Sequence, residues 1–289
     1  MTSQPYTFLG LDPKHHTFEY AHTIVLPVPY DATASFKTGA RDGPEAIIAA
    51  SRELEDFDTE LEYEPSSLGI HTSHALDPDM GGPKKMAQQI QSAVRPIATN
   101  GKLLAMLGGD HSISIGAATE LARAYPKLSV LYLDAHTDFR DEYMGTRWGH
   151  ASSARRISEI CPITIAGVRS MAREEAHDLS HSGIVVHPAP LSEGFWDTIA
   201  DSLTERVYIR LDLDVLDPSF MAAVGTPEPG GLNWYEILGL LRYVAERRQI
   251  IGFDVVELTP KEGPSSCSYI AAKLVYKLIG YAQIGKGRH

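Results

Sequence analysis

Short aliphatic and β-branched runs alternate along the chain with longer segments of helical period, the signature of an α/β domain on a mainly parallel sheet. Residues 23–28, 103–107, 130–134, 163–168, 184–187, 207–213 and 250–255 read as strands. Several are apolar on both alternating faces, which requires helices on either side of the sheet. Helical period falls on 44–52, 84–99, 115–124, 152–159, 234–247 and 269–280. Gly43-Pro44 precedes the first of these helices and Asn100-Gly101 follows the second, as expected of helix ends. No repeat, low-complexity segment or long Gly/Ser linker interrupts the alternation, so a single domain over 1–289 is expected. The seven carboxylates between Arg52 and Glu64 read as a solvated helix end and loop.

Charge and cysteine content narrow the function classes. There are 26 basic and 37 acidic side chains, a formal net charge of −11. That balance argues against nucleic acid, whose phosphates need clustered Lys and Arg, and suits a cationic substrate. Cys161 and Cys267 are too few for a disulfide framework, so a reducing compartment is expected. The first residues, MTSQPYTFLGLDPK, lack a basic start followed by an apolar stretch, and the apolar runs are too short for a membrane helix. The expectation is a cytoplasmic protein without a membrane partner.

Chemistry concentrates where strands end, the edge at which open parallel sheets hold ligands. LGGDHS closes one strand, with Gly108 and Gly109 permitting a tight turn and His111 next to the following helix. LYLDAHTDFRD follows another and spaces Asp134, His136 and Asp138 two residues apart, so that in extended backbone all three point the same way. RLDLDVLDP places Asp212 and Asp214 at the end of a third, and two carboxylates on one buried face repel unless a cation compensates them. Asp217, before Pro218, reads instead as a turn former. Two His and four Asp are too many donors for one tetrahedral ion and suit two ions acidifying a shared water, which points to hydrolysis. Mixed imidazole and carboxylate donors suit Mn²⁺, Zn²⁺, Fe²⁺ or Ni²⁺.

These motifs, with GTPEPGG and GFDVVELTP further on, resemble the ureohydrolases, the arginase and agmatinase group, from Pro29 to Tyr281. The resemblance implies a three-layer α/β/α fold on a mostly parallel eight-stranded sheet. It also implies two Mn²⁺ ions that hydrolyse a guanidinium group to urea and an amine. Matched motif by motif, Asp134 and Asp212 would bridge the ions, His111 and Asp138 would complete one, and His136 and Asp214 the other. Asp138 would carry a proton to the leaving amine, His150 in WGHAS would shuttle protons or hold substrate, and Glu257 would grip the guanidinium. Asp254 would serve structure, as an acceptor for a ligand histidine. The family commonly assembles as trimers or hexamers, so a homo-oligomer is implied.

The loop FRDEYMGTRWGHASSARR, the segment 167–175 and the segment 29–47 are similar to agmatinases rather than arginases. Agmatine is thus the expected small cationic guanidino substrate, with Asp141, Glu142 and Tyr143 near its amine tail and Ser35 and Phe36 at the entrance. Guanidinobutyrate, guanidinopropionate or arginine would need the same metal ligands, and a non-catalytic metal-binding subunit would keep the fold without the chemistry. Arg210 stands where many relatives carry a small residue such as Ser, and Ala222-Ala223 replace the usual Pro-Gly.

Overall fold

A computed structural model of the chain describes residues 5–284. Eight strands alternate with eight α-helices among the described residues. The first half runs β1 Thr23–Val28, α1 Gly43–Ser51, β2 Ile70–Thr72, α2 Pro83–Thr99, β3 Leu103–Gly108, α3 Ile113–Ala124, β4 Leu128–Leu133 and α4 Ser153–Ser158. The second runs β5 Ile163–Val168, α5 Arg173–Ser182, β6 Val185–Pro188, α6 Trp196–Ser202, β7 Arg206–Asp212, α7 Trp234–Arg247, β8 Gln249–Val256 and α8 Ser266–Ile284. All eight strands form one parallel sheet in the order β2-β1-β3-β8-β7-β4-β5-β6.

Alternate side chains of each central strand enter opposite cores, as period two demands. On one face Leu103, Ala105, Leu107, Leu131, Ile209 and Phe253 meet Ile47 of α1, Ile199 of α6, Leu241 of α7 and Leu274 of α8. On the other, Leu104, Met106, Val130, Ile165 and Tyr208 meet Ile90 of α2, Ala117 of α3, Ile157 of α4 and Leu179 of α5. The result is the three-layer arrangement that the apolar runs require. Neither face of the central strands reaches water.

Three elements escape the sequence pattern. β2 is only three residues long, α5 is polar on most of its surface, and α6 is barely two turns. The acidic stretch differs more instructively. Asp58 is buried and accepts from Lys277 Nζ at 2.8 Å, so part of this segment is an internal anchor rather than a solvated loop.

Candidate metal centre and guanidinium pocket

At the middle of the sheet, β3, β4 and β7 deliver every residue of the expected metal site from their C-terminal ends, and β8, between β3 and β7, leads into Glu257. Gly109 explains the turn after β3 by close approach. A Cβ there would lie 2.0 Å from the Tyr30 carbonyl oxygen. The chain then turns His111 inward, where it is 4% exposed. Asp138 and Glu257 both adopt left-handed backbone, at φ 46° and 68°, a conformation that costs energy in a residue with a side chain and is typical of functional sites.

His111, Asp134 and Asp212 bring ligand-type atoms within 4.8 Å of one another, and so do Asp134, His136 and Asp214. Asp134 belongs to both sets. Its Oδ1 lies 3.5 Å from His136 Nδ1 and its Oδ2 3.4 Å from His111 Nδ1. Asp214 Oδ2 is 2.8 Å from His136 Nδ1, and His111 Nε2 contacts Asp212 Oδ2. Asp138 Oδ2 contacts His111 Nδ1 and accepts from the Tyr132 hydroxyl at 2.9 Å. Backbone amides orient the carboxylates: Ala135 N donates to Asp214, His136 N to Asp134 and Asp214 N to Asp212, at 3.0, 2.6 and 2.6 Å.

The electrostatics favour cations. Burial, then the neighbouring Asp214 and Asp134, push the Asp212 carboxyl well above the usual range, and burial followed by Asp134 raises Asp214. Burial also raises Asp134, but Arg210, with the hydrogen bond from His136, outweighs it and holds that carboxyl low. Burial lowers the basicity of His136, yet Asp134 and Asp214 overcome it and lift its pKa to about 12. His111 is held well below its ordinary value, first by burial and then by Arg210, so it is a neutral donor with a free lone pair. Its Nε2 and Asp212 Oδ2 are buried without a hydrogen-bond partner. Two facing lone pairs in a dry site are what a divalent ion would satisfy, and the mixed donors suit a transition metal.

Above these residues opens a cavity of about 350 Å³, lined by His111, His136, Asp138, Asp214 and Glu257 at its floor. Glu257 Oε1 accepts from His111 N at 3.0 Å, while Oε2 lies on the side of Gly225. Burial, then Asp110 and Asp214, raise this carboxyl well above its ordinary value, so a cationic group would be welcome beside it. His150 is also in the wall, with Nε2 3.2 Å from Ser35 Oγ and Nδ1 3.3 Å from Thr33 Oγ1.

The remaining expectations divide. Ser35, Phe36 and Tyr143 line the cavity, but Asp141 and Glu142 do not; Asp141 pairs with Arg147 and Arg156 instead, at 2.8 and 2.6 Å. Asp254 accepts from Tyr208 rather than from a ligand histidine, and burial raises its pKa to about 6. Asp217 accepts from Ser219 N at 2.8 Å, the turn expected of it. Ala223 packs against Gly263, while Gly225 and Thr226 line the cavity. Both cysteines are buried and free.

Sequence reasoning missed the supporting residues. Asp110 Oδ2 accepts from Thr33 N and Oγ1, both at 2.8 Å, and thereby fixes the hydroxyl that meets His150. Glu175 Oε1 accepts from Thr137 Oγ1 and Phe139 N, at 2.8 and 2.9 Å, bracing the turn that carries Asp138. The one available signal was that Asp110 lies inside LGGDHS and Glu175 at the end of the segment 167–175, both already singled out.

A profile described as the arginase family matches residues 21–280. The chain belongs to the arginase family. Among its relatives in this ureohydrolase family, N(1)-aminopropylagmatine ureohydrolase of Thermus thermophilus is 40% identical, over 95% of this chain and 94% of that protein. Agmatinase of Pyrococcus horikoshii is 36% identical, over 95% and 98%. The crystal structure of agmatine ureohydrolase of Thermoplasma volcanium superposes with a TM-score of 0.89 at 29% identity, covering 100% of this chain and 98% of the other.

Proposed function

We propose that this arginase-family chain is a binuclear metal hydrolase that cleaves the guanidinium group of agmatine to urea and putrescine. The observation that supports it most is the floor of the cavity, where two sets of ligand-type atoms share Asp134 and Glu257 stands beside them. Two Mn²⁺ ions would be held by His111, Asp134, His136, Asp138, Asp212 and Asp214. Bound ions would supply an acidified water and neutralise charge that develops on the substrate.

The chain's own groups do the rest. Glu257 grips the planar guanidinium and holds its carbon over the floor. Asp138 takes the proton given up by the attacking water and returns it to the nitrogen whose bond to carbon breaks, since an unprotonated amide ion cannot leave. His150, held by Thr33 and Ser35, relays a proton at the mouth. Phe36 and Met171 in the wall offer apolar surface to the substrate's methylene chain.

A second substrate enters because the Thermus thermophilus relative is named for N(1)-aminopropylagmatine. A tail longer by one aminopropyl unit would extend out of the cavity mouth. Urea release from agmatine, aminopropylagmatine, guanidinobutyrate and arginine, each with Mn²⁺, Fe²⁺ or Ni²⁺, tests both. Preference for an acid-tailed substrate would overturn the cationic assignment, and no turnover with bound metal would favour a non-catalytic subunit. Trimeric or hexameric assembly and cytoplasmic placement belong to the same proposal, and light scattering and cell fractionation check them. No helix among the described residues is long and apolar enough to cross a membrane.

A further inference from the structure

Arg210 is the largest fully buried side chain among the described residues, at 0% exposure, and the expected chemistry gives it no role. It sits two residues before Asp212 on the same face of β7, in a lateral row between Tyr132 of β4 and Asp254 of β8. Its Nη1 donates to Asp134 Oδ2 at 2.6 Å. Nη2 lies 3.6 Å from Asp212 Oδ2 and 3.8 Å from Asp138 Oδ2, and the guanidinium stacks 4.1 Å from the Tyr132 ring centre. Nε and Nη2 nonetheless have no hydrogen-bond partner. Hydrogen bonding alone does not account for a guanidinium left this incomplete in a dry interior, whereas charge does.

The contacts are one-sided. Arg210 occupies Oδ2 of Asp134, the oxygen facing His111, and approaches Asp212 and Asp138. The other set uses Asp134 Oδ1, His136 and Asp214, and no Arg210 ion pair within 4.0 Å reaches it.

We propose that Arg210 is a positioning residue that acts as a built-in third cation, weakening divalent-ion binding in the His111 set relative to the His136 set. This rests on the metal-centre reading above. A fixed positive charge under one set repels an incoming dication there, and the donated hydrogen bond removes one lone pair from the shared Asp134. The same charge compensates the buried carboxylates when no ion is bound, so the centre can load and exchange an ion without unfolding.

Equilibrium dialysis of metal-free protein against Mn²⁺ tests this, comparing the wild type with Arg210→Gln and Arg210→Lys. Gln keeps a donor for Asp134 and drops the charge, whereas Lys keeps the charge. Wild type should show two affinity classes. In Arg210→Gln the weaker class should tighten about tenfold while the tighter class stays, and the melting temperature of the metal-free protein should fall. Arg210→Lys should remain close to wild type. A merely structural role predicts the opposite sign, with metal held more loosely as packing is lost. Gln and Lys variants with equal affinities, or both classes shifting together in Gln, would overturn the proposal. So would a Gln variant that stays unfolded in excess Mn²⁺, because ions that replace the lost charge should restore it. If the wild type takes up no Mn²⁺, Fe²⁺ or Ni²⁺, the metal-centre reading itself fails, and this inference with it.

Discussion

Two groups of carboxylates among the described residues, one around buried Asp58 and one at the centre of the sheet, are compensated in different ways. Beneath α8, Lys277 donates to Asp58 at 2.8 Å and to Glu60 at 2.7 Å, and Glu60 also accepts from Arg242 and Tyr281, both at 2.8 Å. Here the chain supplies its own cations. At the centre of the sheet Asp134, Asp138, Asp212 and Asp214 are at most 6% exposed, and the only arginine or lysine paired with them among the described residues is Arg210. Buried negative charge that the sequence balances is architecture. Buried negative charge that it leaves unbalanced is capacity to bind something from solution.

Breaking the central cluster should cost most. Asp134→Asn removes the carboxylate common to both sets, and urea release should fall on the order of 10⁴-fold together with loss of metal. Elemental analysis that still found two ions would show that Asp134 is not shared. Glu257→Gln should lower kcat/KM on the order of 10³-fold while metal content stays at the wild-type level, since the group beside the guanidinium is altered and the ligands are not. His150→Asn should lower kcat about 10²-fold, again with metal retained, and an unchanged kcat would remove it from the proton path.

The α8 cluster should respond in stability alone. Lys277→Met strands Asp58 without its partner and should cost about 3 kcal/mol by denaturant unfolding, with Mn²⁺ affinity and kcat unmoved. A change in metal affinity would mean that the two clusters communicate. The smallest effect is on pH. Burial pushes the Glu60 carboxyl up, but Lys277, Tyr281 and Arg242 outweigh it and hold it below its ordinary 4.5. The folded state therefore binds fewer protons there than the unfolded one. That contribution is present above the ordinary value and is lost as pH falls through the depressed one. Glu60→Gln should accordingly show a shallower loss of melting temperature on acidification, and an unchanged acid limb would assign the sensitivity elsewhere.

The central cluster was far more legible in the sequence than the one under α8. Asp134, His136 and Asp138 lie within five residues and Asp212 and Asp214 within three, at strand ends that their apolar flanks reveal. Asp58 and Lys277 are separated by 219 positions, so nothing local distinguishes Asp58 from its solvated neighbours. Fold class followed from strands apolar on both faces, while β2 and α6 carry too few residues to show a period. Arg210 was visible as a departure, but only the lateral register that sets it between Tyr132 and Asp254 reveals its burial beneath the site. Asp141 was misplaced because a loop's direction is not encoded in its composition; three arginines draw it away from the cavity.

The strand order carries a consequence for how the protein is made. β8 lies between β3 and β7, and β7 lies between β8 and β4, although β3 and β4 leave the ribosome long before either. A nascent chain that has emerged only as far as β4 and the loop after it therefore has His111, Asp134, His136 and Asp138 but a gap where two central strands belong. Closing that gap demands contacts of long sequence separation, the slow kind. The complete set of ligand-type residues comes into existence only with the insertion of the last strands, so metal uptake should mark the end of folding rather than guide its beginning.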